Sequence, residues 1–151
     1  MRQTTLCYIE KDDKVLMLYR NKKEIDINKG KWIGVGGHVE TNESIEECLI
    51  REVKEETGLS LLEYKKCGKI TFYIDNIIEE CYLYRGLSFT GNLINCNEGE
   101  LKWIPKNQIL YLNLWEGDYL FLNRMYENDD YFELELVYRN DKLISHQIKE
   151  C

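Results

Sequence analysis

Three glutamates share one turn of a predicted helix in the stretch REVKEETGL, residues 51–59. The stretch is rich in helix-forming residues and stops at Gly58, a residue type that commonly ends helices in a left-handed conformation. Glu52, Glu55 and Glu56 are three or four residues apart or adjacent, and like charges at helical spacing repel by about 0.2–0.5 kcal/mol per pair on an exposed surface. A fold that contains this helix must therefore offset the repulsion.

The helix is predicted to begin near Ser44, because Ser44 and Glu47 have the S-x-x-E spacing of a capping box. At about 100° per residue, Leu49 and Val53 define the apolar stripe, and the three glutamates fall on the same side. This phase predicts that all three carboxylates point inward. The outward face carries charges with an ordinary solvated role, and there we expect Glu47 to pair with Arg51 at i, i+4.

Buried carboxylates need a positive partner, because an unpaired buried charge is prohibitively costly. No run of lysine or arginine is obviously placed to neutralise these three. Carboxylate oxygens are hard ligands, which suit Mg²⁺ or Mn²⁺ better than zinc, and Mg²⁺ usually binds a few carboxylates together with substrate phosphates. The helix therefore predicts a divalent-cation site and a phosphorylated ligand. The alternative, a solvated face with surplus acid, conflicts with the helical phase.

The net charge narrows the class of ligand. With 20 Lys+Arg against 27 Asp+Glu, the chain has a formal net charge of -7 at pH 7. Proteins that coat DNA or RNA carry a basic footprint, so we expect a small-molecule substrate and no nucleic-acid partner. A cation would then bridge the acidic protein and an anionic substrate.

Length and apolar patterning predict one globular domain over residues 1–151, without linkers or repeats. No apolar run approaches the ~18–20 residues of a membrane span, and no secretion signal is evident, which predicts a cytoplasmic protein without membrane contact. The six cysteines are scattered, without metal-ligand spacing, and are predicted to be free thiols.

Alternating apolar segments predict strands on both sides of the glutamate helix, and hence an α+β or layered α/β domain. The predicted strands are LCYIE, KVLMLYR, YKKCGKITFYID, IIEECYLYRGLSF, ELKWI, YFELELVYR and KLISHQIK. Turns are predicted at Asp12 and Asp13, at Asn76, and at Asn140 and Asp141. A second helix is predicted from Leu114 to Met125, and NKKEIDINKGK is predicted to be a loop.

Residues 37–59 resemble the Nudix box, G-x5-E-x7-R-E-U-x-E-E-x-G-U, where U is apolar. Every fixed position is matched, by Gly37, Glu43, Arg51, Glu52, Val53, Glu55, Glu56, Gly58 and Leu59. This resemblance implies a Nudix-type α/β/α sandwich with a central mixed β-sheet. It also implies a hydrolase that cleaves a nucleoside diphosphate linked to another group.

The resemblance assigns roles to individual residues. It implies that Glu52, Glu55 and Glu56 are metal ligands and catalytic residues, with the general base among them or on a nearby acid. The carbonyl of Gly36 is implied as a further ligand of Mg²⁺, for which Mn²⁺ is a possible substitute. Structural roles are implied for Gly37, Glu43, Arg51 and Gly58, of which Arg51 and Glu43 should brace the loop and helix through hydrogen bonds.

Beyond the box, the chain resembles the MutT-like branch of the family. That branch hydrolyses oxidised purine nucleoside triphosphates such as 8-oxo-dGTP to the monophosphate and pyrophosphate, which removes damaged precursors before they enter DNA. The likeness implies that Glu98 is a metal ligand and that Arg20 lies near the phosphates. In the segment LWEGDY, it implies that Trp115 stacks on the purine and that Asp118 reads its edge.

Two departures leave the base open. Ile33 stands where some oxidised-purine enzymes present an asparagine, and Gly117 with Asp118 replaces an acidic pair, for which Glu116 is a possible substitute. Other Nudix substrates, such as a dinucleoside polyphosphate or a nucleotide sugar, remain alternatives, as does a non-catalytic nucleotide sensor. Both a monomer and a homodimer are compatible with the sequence.

Simpler interpretations also exist for the residues outside the box. Trp115 could be a core or lid residue, and Asp118 could be a solvated acid on the surface of a helix. Arg20 could belong to a basic surface cluster, and Glu100 could face the metal instead of Glu98. The two histidines, His38 and His146, receive no catalytic role.

Overall fold

A mixed β-sheet lies at the centre of the computed structural model, which describes residues 1–150 and the side chains of residues 1–149. Its strands are β1 (Arg2–Lys11), β2 (Lys14–Arg20), β3 (Trp32–Ile33), β4 (Val35–His38), β5 (Ser60–Ile74), β6 (Ile77–Thr90), β7 (Gly99–Pro105), β8 (Phe132–Arg139) and β9 (Lys142–Glu150). The helices are α1 (Ile45–Thr57), α2 (Glu116–Glu127) and a 3₁₀ helix (Lys106–Tyr111).

The strand order is β3-β2-β1-β6-β5-β8-β9, with β4 paired to β1 and β7 paired to β2. The pairs β1–β6 and β5–β8 are parallel, and the other pairs are antiparallel. The sheet is therefore mixed, as the sequence predicted.

The two helices cover opposite faces of the sheet. Along β1, Tyr8 packs in one apolar cluster with Phe121 of α2, whereas its neighbour Ile9 packs in another cluster with Leu49 and Val53 of α1. Successive side chains of a strand point to opposite faces, so each cluster is one layer of the core. The predicted α/β/α sandwich is confirmed.

Helix α1 has the ends that the sequence predicted. The Ser44 hydroxyl accepts a hydrogen bond from the Glu47 N–H at 3.1 Å, and the Glu47 carboxylate accepts one from the Ser44 N–H at 2.9 Å. Gly58 ends the helix with φ 83°, where a Cβ would lie 2.7 Å from the carbonyl oxygen of Asn92. Both the conformation and the crowding therefore require glycine at this end.

Several predicted elements differ in their limits. Helix α2 begins at Glu116 rather than Leu114, with Trp115 in an extended conformation before it. The sequence did not predict β3, β4 or the 3₁₀ helix. Two of the four residues of β4 are glycines, which favour strands poorly, so the pairing with β1 and not local preference determines this strand. The three predicted turns are confirmed.

The predicted free thiols are found at five buried cysteines: Cys7, Cys48, Cys67, Cys81 and Cys96. Cys151 lies outside the described residues. None of the helices within residues 1–150 is long and apolar enough to cross a membrane.

Candidate active site

One pocket of about 880 Å³ contains both groups of residues that the sequence selected. Glu52, Glu55 and Glu98 line it, together with Ile33, Trp115 and Asp118. Glu56 is mostly buried and contacts Glu98 and one further lining residue, Gly36. The acidic residues and the aromatic segment thus face a single cavity.

Two glycines of β4 lie in close contact with their neighbours, Gly36 with the backbone of β1 and Gly37 with the carboxyl group of Glu52. A Cβ on Gly36 would lie 1.8 Å from the carbonyl oxygen of Thr5, and a Cβ on Gly37 would lie 2.5 Å from the carboxyl carbon of Glu52. Neither position has space for a side chain. The absence of a side chain at Gly37 therefore leaves space for the Glu52 carboxylate.

The buried end of the site is formed by Glu56 and Glu98, whose carboxyl groups contact each other. The Gly36 N–H donates to Glu56 at 2.8 Å, and among the described residues no lysine or arginine contacts Glu56. Burial, reinforced by Glu98, raises the pKa of Glu56 well above its usual range. A proton or a cation must therefore lie between these two carboxyl groups.

The backbone of Gly36 supplies a further oxygen in the same region. Gly36 is paired with Leu6 of β1, but its N–H points to Glu56. In an antiparallel pair the N–H and C=O of one residue point to the same side. The Gly36 carbonyl therefore also faces the α1 side of β4.

The described residues contain no group of three or more His, Cys, Asp or Glu side chains arranged to enclose a metal ion. Mg²⁺ needs only one or two protein carboxylates when water and phosphate complete its coordination. The oxygen groups of Glu52, Glu56, Glu98 and Gly36 fit this incomplete, hard-ligand type of site. A divalent cation would offset the repulsion that arises when the carboxyl groups of Glu56 and Glu98 are both ionised.

Arg51 connects four acidic residues around the mouth of the site. It donates to Glu43 at 2.6 and 3.0 Å, to Glu52 at 2.7 Å and to Glu55 at 3.1 Å, and it forms an ion pair with Glu40 at 3.0 Å. It also donates to the carbonyl of His38, the last residue of β4, at 3.1 Å. Arg51 therefore braces the loop against α1.

Three sequence predictions about α1 are wrong. Glu55 does not point inward, since its side chain is 60% exposed. Arg51 does not pair with Glu47, which caps the helix instead. A cation is in fact placed beside Glu52, because the long Arg51 side chain curls from the outward face toward the loop. The need for a metal therefore rests on Glu56 and Glu98 rather than on three buried glutamates.

Removal of the Arg51 guanidinium, in Arg51→Ala, is expected to lower Tm by a few degrees at pH 7. Hydrogen bonds from Arg51 lower the pKa of Glu43 from 4.5 to about 2. A lowered carboxyl pKa stabilises the fold above pH 4.5, and this contribution disappears as the pH falls toward 2. Thermal unfolding from pH 7 to 3 should therefore show the gap between wild type and variant narrowing.

The double variant Arg51→Ala with Glu43→Gln provides the control for this pair. Because both substitutions break the same contact, the double variant should lose little more stability than Arg51→Ala alone. A fully additive loss would show that Arg51 acts independently of Glu43.

Arg20 lies at the pocket rather than in a basic surface cluster. Its guanidinium donates to Asp26 at 2.8 and 3.1 Å and lies 3.4 Å from a Glu98 oxygen, with only 12% of its side chain exposed. Lys23 also contacts Glu98 at 3.3 Å. Glu100 is turned elsewhere, toward Asn21. Of these two glutamates, Glu98, which precedes β7, is therefore the one that contacts the acidic site, whereas Glu100 lies on β7.

Trp115 is held from several directions at the opposite part of the pocket wall. Its indole N–H donates to the Asn28 side chain at 2.8 Å. The Lys31 ammonium lies 5.1 Å from the ring centroid, and the Tyr138 ring meets it edge-on at 6.0 Å. Trp115 packs against the core cluster on the α2 side of the sheet, but it is only partly buried and also lines the pocket.

Asp118 is a buried acid in the same wall, 6% exposed and not solvated. No hydrogen bond reaches its carboxyl group from the part of the chain that the structure describes. Burial raises its pKa from 3.8 to about 8, against the opposing effect of Lys31. At neutral pH Asp118 is therefore mainly a neutral acid that can both donate and accept a hydrogen bond.

The neighbours of Asp118 show why this segment has its sequence. The Gly117 N–H donates to the Tyr138 hydroxyl at 2.6 Å, where a Cβ on Gly117 would clash. Glu116 is exposed and accepts a hydrogen bond from the Leu143 N–H at 3.3 Å. Glu116 does not line the pocket, so the idea that it substitutes for the missing acid is wrong. Ile33 presents an apolar side chain there.

The sequence interpretation missed two residues of the loop between β2 and β3. Asp26 holds Arg20, and Asn28 holds Trp115. The Asn28 N–H also donates to the Asp26 carboxylate at 3.1 Å, which is a local turn typical of Asp. The D-x-N spacing just before GKW was the available signal.

Comparison with known proteins decides the family. The profile of the NUDIX domain matches residues 1–125. The chain belongs to the Nudix family. It is 30% identical to the uncharacterised Nudix hydrolase YvcI of Bacillus subtilis, over 98% of this chain and 94% of that protein. The sequence-based recognition of the family is therefore confirmed.

The Nudix relatives place the chain in the MutT-like group. It is 26% identical to the oxidized purine nucleoside triphosphate hydrolase of Danio rerio, over 97% of this chain and 93% of the relative. The crystal structure of the MutT protein from Bacillus halodurans superposes with a TM-score of 0.89 at 24% identity, covering 99% of this chain and 98% of that one, which shows a shared fold. The protein is a Nudix hydrolase of MutT-like type, a class that acts on nucleotides with divalent cations.

Proposed function

We propose that the protein is a Mg²⁺-dependent nucleoside triphosphate pyrophosphohydrolase. Its substrate would be 8-oxo-dGTP or a related oxidised purine nucleotide, cleaved to the monophosphate and pyrophosphate as part of nucleotide-pool sanitation. One observation carries the proposal: a single pocket faces both the acidic residues of the Nudix box and the buried Asp118 beside Trp115.

The acidic part of the pocket would hold the cation and the phosphates. Glu52, Glu55, Glu56 and Glu98, with the Gly36 carbonyl, provide the oxygen ligands for Mg²⁺, and Mn²⁺ has the same ligand preference. When bound, the cation would polarise a phosphoryl oxygen and make a bound water more acidic. Arg20, held by Asp26 and Glu98, keeps a guanidinium at the same wall.

The aromatic part of the pocket would hold the base. Trp115 is fixed by Asn28 and is only partly buried, so one ring face can stack on a purine. Asp118 is buried, unpaired within the described residues and neutral at pH 7, which allows a donor and an acceptor of the base to bind one carboxyl group. These two hydrogen bonds from Asp118 would take the place of the one that an asparagine makes in some relatives, where this chain has Ile33.

A nucleotide panel with Mg²⁺ tests the function. We expect 8-oxo-dGTP to release pyrophosphate and not phosphate, with a kcat/KM at least about 10-fold above that for dGTP, since a site that hydrogen-bonds a base rejects analogues without the matching group. Both products should be quantified for the nucleoside triphosphates, dinucleoside polyphosphates and nucleotide sugars.

The panel also identifies the alternatives. Rapid hydrolysis of another nucleotide without pyrophosphate release from 8-oxo-dGTP would contradict the proposed substrate and retain the hydrolase. Inactivity toward every nucleotide, with measurable binding of one, would indicate a nucleotide sensor.

A further inference from the structure

The sheet side of the pocket contains a second acid, Glu79, to which the proposed function assigns no role. Glu79 lies on β6, with Arg2 of β1 beside it on one side and Phe72 of β5 on the other. Because side chains alternate along a strand, Glu79 and Cys81 share one face of the sheet. All four residues line the same pocket as Asp118.

The surroundings of Glu79 leave part of its hydrogen-bonding capacity free. Its contacts are an ion pair with Arg2 at 3.5 Å and a hydrogen bond from the Thr4 hydroxyl at 3.5 Å, both long. The Glu79 side chain is 19% exposed, whereas that of Arg2 is 49% exposed. A carboxylate has about four acceptor positions, so these two long contacts do not saturate it. The remaining positions are available to a ligand in the pocket.

The floor around Glu79 is otherwise mainly apolar, with Phe72, Ile74, Ile77 and Cys81 lining the pocket. A carboxylate in such a wall is poorly solvated unless a donor reaches it. Asp118 presents the same situation from α2, buried and without a hydrogen-bond donor within the described residues. Two carboxyl groups from separate elements therefore have oxygen atoms that can accept hydrogen bonds from a ligand in the same cavity.

We propose that Glu79 and Asp118 together select a base that presents N–H donors on two edges. This selection of the base deepens the proposed function. It rests on the proposed function only for the binding of the nucleotide in this pocket. A 2-amino-6-oxo purine has donors at N1 and the 2-amino group, and 8-oxidation adds a donor at N7. An adenine base also carries a donor, its 6-amino group, but its unprotonated N1 and N7 have lone pairs that the Glu79 carboxylate repels. The pocket would therefore favour oxidised guanine over adenine nucleotides.

Binding of nucleoside monophosphates without metal tests this inference independently of turnover. Calorimetry should compare 8-oxo-dGMP with dAMP for wild type, Glu79→Gln and Glu79→Leu. Loss of a charge-assisted hydrogen bond should weaken 8-oxo-dGMP binding by about 10- to 100-fold, more for Leu than for Gln, while dAMP binding is unchanged or tighter.

Glu80→Gln is the matched control, because Glu80 is the next residue on β6 and points to the other face, toward Gln3 and Lys69. It should leave the binding of both nucleotides unchanged. Thermal unfolding of each variant verifies that the fold is retained.

Equal weakening of both nucleotides by the Glu79 variants, no weakening of either, or no measurable binding of 8-oxo-dGMP to wild type would overturn the inference. The proposed function fails separately. If wild type does not hydrolyse 8-oxo-dGTP but Glu79→Gln still weakens 8-oxo-dGMP selectively, the base selection stands and the proposed reaction does not.

Discussion

Glu56→Gln is expected to reduce nucleotide turnover by at least about 10²-fold while the protein remains folded. Glutamine has the same shape and can still accept the hydrogen bond from the Gly36 N–H. It has no charge, so it weakens a cation site that depends on the contact between Glu56 and Glu98. Pyrophosphate release at saturating Mg²⁺ measures the effect, and thermal unfolding measures stability.

The stability of Glu56→Gln should be close to that of wild type, because the glutamine amide can donate a hydrogen bond to Glu98 as the protonated Glu56 carboxyl group does. Glu46→Gln, on the exposed side of the same helix, is the control and should retain activity. If Glu56→Gln turned over nucleotide at the wild-type rate, Glu56 would not be a ligand in the cation site.

Asp118→Asn is expected to stabilise the protein at pH 8 by on the order of a few kcal/mol. Burial raises the pKa of Asp118 from 3.8 to about 8, so folding takes up a proton or leaves a charge buried. For this raised pKa, the full stability is present below about pH 4 and falls as the pH rises to about 8. Asparagine does not titrate, so the variant should lose this part of the pH dependence.

Denaturant unfolding at pH 4, 6 and 8 measures the difference between Asp118→Asn and wild type. The two proteins should be similar near pH 4 and diverge toward pH 8. Glu116→Gln, an exposed substitution two residues earlier, should follow wild type at each pH. If the free energies of unfolding of Asp118→Asn and wild type differed by the same amount at every pH, Asp118 would not be a neutral acid in the folded protein.

The features that the sequence predicted well depend on local chemistry. The capping box of Ser44 and Glu47 and the left-handed Gly58 are properties of a few adjacent residues, so the sequence alone predicts both ends of α1. The Nudix box placed the acids because its spacing reflects one helix and one loop. The predicted hairpin turns likewise followed from Asp and Asn pairs.

The features that the sequence did not predict depend on distant contacts. The helical phase treats each side chain as radial, but the long Arg51 side chain curls to the loop, and Glu55 remains exposed. Asn28 and Trp115 are far apart in the chain, so no local pattern indicated their hydrogen bond. Glu79 faces the pocket only because β6 pairs between β1 and β5.

The loop between β2 and β3 makes hydrogen bonds to both parts of the pocket. Asp26 is bonded to Arg20, which contacts Glu98, and Asn28 is bonded to Trp115. Only one residue separates Asp26 from Asn28, so we expect a shift of the aromatic ring to displace Arg20 and Glu98 as well. A base that fits badly should therefore also misalign the phosphates. Discrimination between bases is then expected in kcat as well as in KM.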